Sequence, residues 1–227
     1  MEWLVDLCMN KYISLPLLIG LAFSTTINIP SDYTTIQAGI NASVDGDTVL
    51  VAQGTYSENL ILEKEIVLAS HALNDDLNTE WINNENIQET IISGTSEPVD
   101  PDYGSCLVIR DGNIVPTILG FTFQDGTGTA MVENDTCEIV VQRPERSGGA
   151  ILIFKAYPTV MYNRFINNGS AQSDSGSGSI NIANGGAIAQ FSDEDVEFDE
   201  DRNFRRIRHS SRDIPEEVNI QNNYFVY

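Results

Sequence analysis

Positively charged residues are scarce in this chain. Twelve Lys and Arg residues stand against 33 Asp and Glu residues over 227 positions, which gives a formal net charge of -21 at pH 7. A charge of this sign repels nucleic acid and anionic membrane surfaces. We therefore expect neither as a partner, and a polyanionic ligand would need a bridging cation.

Histidine and cysteine are scarce as well. His71 and His209 are the only histidines, and both lie in polar segments, which excludes a histidine-based catalytic triad and a histidine-ligated zinc site. The cysteines are Cys8, Cys106 and Cys137. If Cys8 is removed with a signal peptide, the other two either form a disulfide in an oxidising compartment or remain as buried thiols.

The chain has one long apolar run, Ile13–Phe23, and it lies near the N-terminus. It is typical of an export signal, so residues 1–24 are predicted to be a signal peptide. Glu2 and Asp6 give the preceding flank the wrong charge, and a start at Met9 would remove both. The run is short for a membrane span, which favours a cleaved signal, and an uncleaved anchor is the alternative. No other transmembrane segment is expected.

Helical patterns are almost absent from residues 25–227, which we predict to be one secreted, extracellular or cell-surface domain. A short helix is predicted at about Thr35–Asn41, with Thr34 and Gln37 as a capping box. Elsewhere short apolar segments alternate with turns, as in an all-β domain. The predicted strands are a segment around Val49 and Val51, Leu60–Leu62, Glu65–Ala69, Thr90–Ser93, Cys106–Arg110, Thr117–Phe123, Ala150–Phe154, Thr159–Phe165, Ala187–Phe191 and Val218–Phe225.

Short repeats relate these strands to one another. The tetrapeptide GGAI occurs at 148–151 and again at 185–188. The pattern V-x-x-N-x-F at 160–165 recurs as I-x-x-N-x-F at 220–225, and in the looser form I-x-x-F-x-F at 118–123. Constant spacing inside each repeat with unequal distances between repeats predicts a solenoid whose turns keep their strands and vary their loops.

Longer segments carry a family resemblance. The stretch "YTTIQAGINASVDGDTVLVAQGTYSENLIL", followed by "TIISGT" and "ILGFTFQDG", resembles the opening coils of right-handed parallel β-helix proteins of the pectin-lyase-like superfamily, including pectinesterase-like members. "GGAI" followed by "FINN" is similar to the repeats of polymorphic outer-membrane and autotransporter-type adhesins. The resemblance covers about residues 27–227. It implies a bacterial, all-β, right-handed parallel β-helix in which Thr34–Asn41 forms an N-terminal capping helix.

Stacked coils of such a fold place like residues above one another. Asn163 and Asn223 are therefore predicted to form an asparagine ladder that bonds along the stack and adopts the left-handed backbone of a sharp turn, with Phe165 and Phe225 stacked inside. Ordinary surface turns are the alternative for the two asparagines.

Three insertions, His71–Gln88, Thr127–Ser147 and Ser192–Pro215, interrupt the predicted coils, and such loops often carry function. The third holds an acidic half and an arginine-rich half. The two halves are predicted to fold back on each other as a solvated hairpin, and the alternative is a calcium site in the acidic half. Its candidate ligands are Asp193, Asp195, Asp199 and Asp201.

The resemblance to pectinesterases implies catalysis, but their catalytic segments have no match here, so the catalytic residues are unknown. Lys64, Arg110, Lys155 and Arg164 are the cations that a groove could use, although strand alternation predicts outward, solvated side chains. We therefore expect a non-catalytic scaffold that binds glycans or other extracellular partners through loops and strand faces.

A polysaccharide lyase or carbohydrate esterase whose site is unrecognised, or lies beyond the chain, is the alternative function. The segment "VNIQNNYFVY" ends on a strand without a polar cap, so further coils or another domain are expected after it, as in a passenger segment of a larger adhesin.

Overall fold

The computed structural model describes residues 24–94, 103–110, 112–133, 144–169, 187–191, 196–198, 204–206 and 219–226. In this part of the chain the protein is mostly β-strand, with few helices. The strands are β1 (Thr26–Ile29), β2 (Thr48–Val51), β3 (Gly54–Ser57), β4 (Leu60–Leu62), β5 (Val67–Ser70), β6 (Thr90–Ser93), β7 (Tyr103–Gly104), β8 (Leu107–Ile109), β9 (Thr117–Leu119), β10 (Thr122–Gln124), β11 (Gly128–Glu133), β12 (Pro144–Ser147), β13 (Ile151–Phe154), β14 (Thr159–Met161), β15 (Arg164–Ile166), β16 (Ile188–Phe191), β17 (Val196–Phe198), β18 (Phe204–Arg206), β19 (Asn219–Gln221) and β20 (Tyr224–Val226).

The helices are short. α1 (Ile36–Ala42) and α2 (Glu85–Gln88) are α-helical, and two 3₁₀ helices cover His71–Asn74 and Trp81–Asn83. α1 confirms the predicted helix to within a residue, and the other three lie in the first predicted insertion. Within the residues described, no helix has the length and apolar character needed to cross a membrane.

Most strands form three parallel sheets. The first sheet has the order β1-β2-β5-β9-β14-β19, the second β3-β6-β10-β15-β20 and the third β4-β8-β13-β16. Successive strands along the chain enter these sheets in turn, so that β2, β3 and β4 form one round and β5, β6 and β8 form the next. The same order repeats with β9, β10 and β13, then with β14, β15 and β16, before β19 and β20 end the first and second sheets.

The strand register confirms the predicted repeats. In the first sheet Val160 pairs with Ile118 on one side and Ile220 on the other. In the third sheet Ile151 of the first GGAI pairs with Ile188 of the second. Ile151 and Ile188 therefore occupy equivalent positions in neighbouring strands.

Side chains that alternate toward a common centre form the core. Val49, Val51, Leu60 and Leu62 are fully buried there, as the alternation around residues 48–51 predicts. In the second sheet the rings of Phe123, Phe165 and Phe225 stack, with centroids 5.5 Å and 4.9 Å apart and ring planes within 13°. This confirms the predicted stacking of Phe165 on Phe225, and stacked pairs add about 0.5–1.5 kcal/mol each beyond burial.

Three predicted strands were wrong because each is two strands in different sheets. Thr117–Phe123 divides into β9 and β10, Thr159–Phe165 into β14 and β15, and Val218–Phe225 contains β19 and β20. The chain turns between them at aligned residues with positive φ, namely Gly120 (81°), Tyr162 (56°) and Asn222 (49°). β1, β3, β7, β11 and β12 were not predicted.

α1 lies against β1, β2 and β4 and covers one end of the stacked sheets. Its Ile36 and Ile40 are buried, and a Cβ added at Gly39 would lie 2.7 Å from Ile29 Cδ1. The predicted capping box was wrong, because the N-cap is Thr35, whose Oγ1 accepts from the Ala38 N–H.

Gln37 of that predicted box instead bonds to the backbone of Ile61 with both ends of its amide. The first turn of α1 is satisfied by the Glu58 carboxylate, which accepts from the N–H groups of Ile36 and Gln37 at 2.9 and 3.0 Å. These bonds hold α1 against β4 and against the turn between β3 and β4.

The predicted insertions fold against the outside of the sheets or pair with each other. The first packs Ile87 and Trp81 on the outer face of the first sheet. The second contains the antiparallel pair β11 and β12, and a fourth sheet orders β12-β11-β18-β17 with β7 also paired to β11. In the third insertion β17 and β18 are antiparallel with Glu197 opposite Arg205, as predicted for a hairpin, and the rest of that insertion lies outside the described residues.

Candidate functional site

The asparagine ladder is confirmed. Asn163 is fully buried; its Oδ1 accepts from the Phe121 N–H at 2.9 Å, and its Nδ2 donates to the carbonyls of Ile118 and Met161. Asn223 Oδ1 accepts from the Asn163 N–H at 3.0 Å. The left-handed residues are the ones before each asparagine, so the predicted left-handed backbone of the ladder residues themselves was wrong.

A second asparagine corner was not predicted. Asp125 and Asn167 have positive φ at aligned positions after β10 and β15, and Asn167 Nδ2 donates to Asp125 Oδ1 at 2.7 Å. The next residue, Asn168, accepts from the Gly126 N–H and donates to the Phe123 carbonyl. The two asparagines of "FINN" are the feature of the sequence from which this corner could have been predicted. Both corners are architectural.

Two of the four candidate cations make structural contacts with the chain, which corrects the expectation of outward, solvated side chains. Lys64 Nζ donates to the carbonyls of Ile40, Asn41 and Ser43, so it caps the C-terminus of α1. Arg110 is buried. Its Nε donates to Glu63 Oε1 at 2.6 Å, and its guanidinium contacts an aromatic side chain.

That aromatic side chain is Tyr103, which lies over the outer face of the third sheet. Its hydroxyl accepts from Arg110 Nη1 at 2.7 Å, and its ring packs with Val108, Leu152 and Phe154. Arg110 therefore points outward from the sheet, as predicted, but Tyr103 covers this face and the Arg110 side chain is buried. The Arg110–Tyr103 hydrogen bond and this packing hold β7 on the third sheet.

The other two cations remain partly exposed. Lys155 lies at a corner with φ 51°, and its Nζ is 5.3 Å from the centroid of the Phe154 ring. Arg164 is half-buried on β15, next to the inward-facing Phe165 and therefore on the outer face of the second sheet. The four cations do not converge on one groove, because they lie at separate corners and faces.

The strongest candidate site lies on the outer face of the first sheet, where the first insertion packs. We name it the Trp81 face, formed by Trp81, Tyr162, Asp75, Asn84 and Asn86. The rings of Trp81 and Tyr162 meet edge to face, with centroids 5.7 Å apart and planes at 75°. Both residues are half-buried and rest on the apolar cluster around Leu119.

Tyr162 is an unexpected residue at its corner. A bulky side chain is uncommon at positive φ, where the aligned positions carry Gly120 and Asn222. The turn by itself favours glycine or asparagine. The presence of Tyr162 is therefore explained by its ring and the contact with Trp81, and not by the backbone.

A fixed polar network lies on the same insertion as Trp81, and the Asn84 N–H donates to the Trp81 carbonyl. Asn84 Nδ2 and Asn86 Nδ2 each donate to Asp75 Oδ2 at 2.8 Å, and Asn84 Oδ1 also caps α2 at the Ile87 N–H. The amide donors of Asn84 and then Asn86 hold the pKa of Asp75 below its ordinary value, so this carboxylate is ionised at neutral pH. Both bonds end on Oδ2, so among the described residues Oδ1 keeps its acceptor capacity.

The charge around this network has one sign. Residues 71–94 contain five carboxylates and no Lys or Arg, and the N–H of Asn78 holds the pKa of Asp76 below its ordinary value as well. Aromatic rings beside hydrogen-bonding amides and a carboxylate can stack on the apolar face of a sugar and bond its hydroxyl groups. The acidic surroundings disfavour an anionic ligand.

The candidate metal ligands and the cysteines do not belong to the Trp81 face. In the described ranges no group of three or more His, Cys, Asp or Glu side chains is placed to hold a metal ion. Asp193, Asp195, Asp199 and Asp201 lie outside those ranges, as does Cys137, so the calcium site stays a prediction. Cys106 is a buried free thiol, and burial raises its pKa to about 12.

The Trp81 face was not predicted as a set of residues. Only its insertion, His71–Gln88, was singled out as a functional loop, and Tyr162 was placed inside a continuous strand. Comparison of the chain with protein-family models, with curated proteins and with solved structures gave no match.

Proposed function

We propose that this chain is a right-handed parallel β-helix of the pectin-lyase-like kind. Support comes from three parallel sheets that the chain enters in turn, from strands paired in the register of the sequence repeats, and from asparagine and phenylalanine residues stacked on their equivalents. Each round of three strands then corresponds to one coil.

We propose further that the protein is a secreted or cell-surface scaffold that binds glycans through the Trp81 face. The observations that carry this proposal are the Trp81 and Tyr162 ring pair and, on the same insertion as Trp81, the fixed network of Asp75, Asn84 and Asn86. A rigid sheet supports the rings, and the amides are already oriented, so little ordering is needed when a ligand binds. Five neighbouring carboxylates favour a neutral glycan over a polyuronate.

Binding without catalysis is the function that this geometry favours. The cations that a lyase would need near a uronate include Lys64 and Arg110, and both are committed to structural bonds. A carbohydrate-active enzyme remains the alternative outcome of the experiment.

The test is binding of the purified chain to neutral and uronate polysaccharides, each with and without calcium, by calorimetry and by product analysis. Binding of a neutral glycan without turnover is expected. Turnover of any polymer would overturn the non-catalytic proposal. Binding only to uronates and only with calcium, or binding to no polymer, would overturn the neutral-glycan site.

Tyr162→Asn gives the sharpest variant, because asparagine occupies the aligned left-handed position 222. It should keep or raise the free energy of unfolding while weakening glycan binding about tenfold, since truncating a contact aromatic typically costs more than 1 kcal/mol. Trp81→Ala should also weaken binding. Tyr33→Ala, which removes a 40 % exposed aromatic beside α1, is the matched control and should leave binding unchanged.

A further inference from the structure

A carboxylate holds the backbone directly before the first strand. The Thr25 N–H donates to Asp47 Oδ1 at 2.8 Å, and the Val44 N–H donates to Asp47 Oδ2 at 2.9 Å. Asp47 precedes β2 and is only 4 % exposed, whereas Thr25 is exposed. An aspartate with so little exposed surface is rarely found without a cation beside it.

No side chain supplies that cation. In the part of the chain that the structure describes, no Lys, Arg or His nitrogen lies within ion-pair distance of Asp47. Lys64 acts through its charge alone, because its Nζ donates to three carbonyls at the C-terminus of α1. The N–H of Val44 and then that of Thr25 hold the pKa of Asp47 below its ordinary value, so this carboxylate is ionised at neutral pH.

Thr25 is also the residue that follows the predicted export signal. The apolar run ends at Phe23, and Ala22 and Ser24 are small residues at the third and first positions before the Ser24–Thr25 bond, the spacing of a signal-peptide cleavage site. Cleavage there would turn the Thr25 nitrogen, which donates to Asp47, into the chain terminus. The sequence pattern and the position of the carboxylate therefore point independently to the same atom.

We propose that cleavage between Ser24 and Thr25 creates a terminal ammonium group that forms an ion pair with Asp47. Hydrolysis of this peptide bond consumes one water, leaves a carboxylate on Ser24 and gives Thr25 an α-amino group, which is protonated below about pH 8. The Thr25 nitrogen keeps its position, because the Thr25 carbonyl accepts from the Thr48 N–H at 2.9 Å and β1 continues along β2.

The ion pair fastens the first strand of the mature chain. A bond between two opposite charges is stronger than the bond that an amide N–H makes to the same carboxylate. Chain ends fray unless they are tied down, and β1 begins at the next residue. The proposal rests on the secretion proposed above, because only an exported chain meets a signal peptidase.

The cleavage is tested by expressing the chain from Met1 and from Met9 in a secreting bacterium. Intact mass and N-terminal sequencing of the released protein should show that it begins at Thr25. Any other first residue would overturn the assigned bond. Full-length protein retained in the cells from both starts would overturn the cleavage and the secretion together.

The ion pair is tested separately on purified chains that begin at Thr25 or at Ala22, each with and without Asp47→Asn. In the longer chain Thr25 keeps an amide N–H and the terminal charge is three residues away. Urea unfolding should show that Asp47→Asn changes the unfolding equilibrium constant about fivefold more in the chain that begins at Thr25. Equal changes in the two chains would overturn the ion pair, even if cleavage occurs at this bond.

The unsubstituted chains give a second measurement that does not depend on the folding of Asp47→Asn. The chain that begins at Thr25 should have the lower unfolding constant, by about fivefold, and equal stability would overturn the pair.

Asp45→Asn is the matched control, because Asp45 is an exposed carboxylate whose Oδ1 accepts from the Glu65 N–H at 2.9 Å. It removes the same charge two residues away and should affect both chains equally. The same preference for the chain that begins at Thr25 in Asp45→Asn and Asp47→Asn would show that overall charge governs the difference, and would overturn the pair.

Discussion

At the scale of single residues, the corners between sheets depend on side chains that replace backbone partners. Asn163 satisfies the Phe121 N–H and the carbonyls of Ile118 and Met161 in a position with no exposed surface. Phe121 and Ile118 are fully buried as well, so their backbone groups lose their partner if the side chain is removed. The left-handed turn and the sheet order therefore rely on one buried amide.

Asn163→Ala should lower the free energy of unfolding by about 2–4 kcal/mol, because several buried polar groups would lose their partner at about 1–3 kcal/mol each before relaxation. Urea unfolding followed by circular dichroism measures this. Asn223→Ala is the control, since Asn223 is half-buried and water can replace part of its bonds. A loss for Asn163→Ala no larger than that for Asn223→Ala would contradict the role assigned to the buried amide.

The same scale shows which residues could be predicted. Asn163 and Asn223 were found because both copies of their repeat carry asparagine. Asn168 was not, because its aligned partner is Gly126, which has no side chain to repeat. Arg110 was placed on the correct face, but its burial depends on Glu63, 47 positions away, and on Tyr103.

At the scale of elements, strand length was the least predictable property. Apolar residues continue through each corner, as in 117–123, so alternation alone gives one strand where the chain forms two. The turn between the two strands can be recognised only from a residue type that favours positive φ, and Tyr162 is not such a residue type. α1 was predictable because its apolar spacing is local, whereas its caps were not, because Glu58 and Lys64 come from later segments.

Lys64→Met should loosen α1, because three carbonyls at its C-terminus lose a charged donor. The free energy of unfolding should fall by about 1–2 kcal/mol, since the site is partly exposed and water can replace some of the bonds. Chemical denaturation measures the loss. Glu65→Gln, a change at an exposed neighbour whose backbone N–H donates to Asp45 Oδ1, should have almost no effect. Equal effects would contradict the capping role.

At the scale of the whole molecule, the topology followed from the repeats and the candidate site did not. Register between rounds is set by residues that recur at matched positions, so the pairs of Val160 and Ile220 or Ile151 and Ile188 could be read directly. The Trp81 face joins residues 81 positions apart through an insertion that occurs in one round. No repeat marks such a contact, because it depends on how the insertion folds over the first sheet.

The whole molecule should also have a gradient of local stability. A strand with neighbours on both sides is stabilised through two interfaces, whereas β19 and β20 have one each in the described residues, and β1 is covered by α1. Local opening should therefore be easiest at β19 and β20.

Hydrogen exchange measured by mass spectrometry tests this gradient. In dilute protein, peptides covering 219–226 should exchange fastest among the strands, those covering β9 and β14 slowest, and β1 should be protected more than β19. Uniform protection along the sheets would contradict the gradient, and fast exchange of β1 would contradict the covering role of α1.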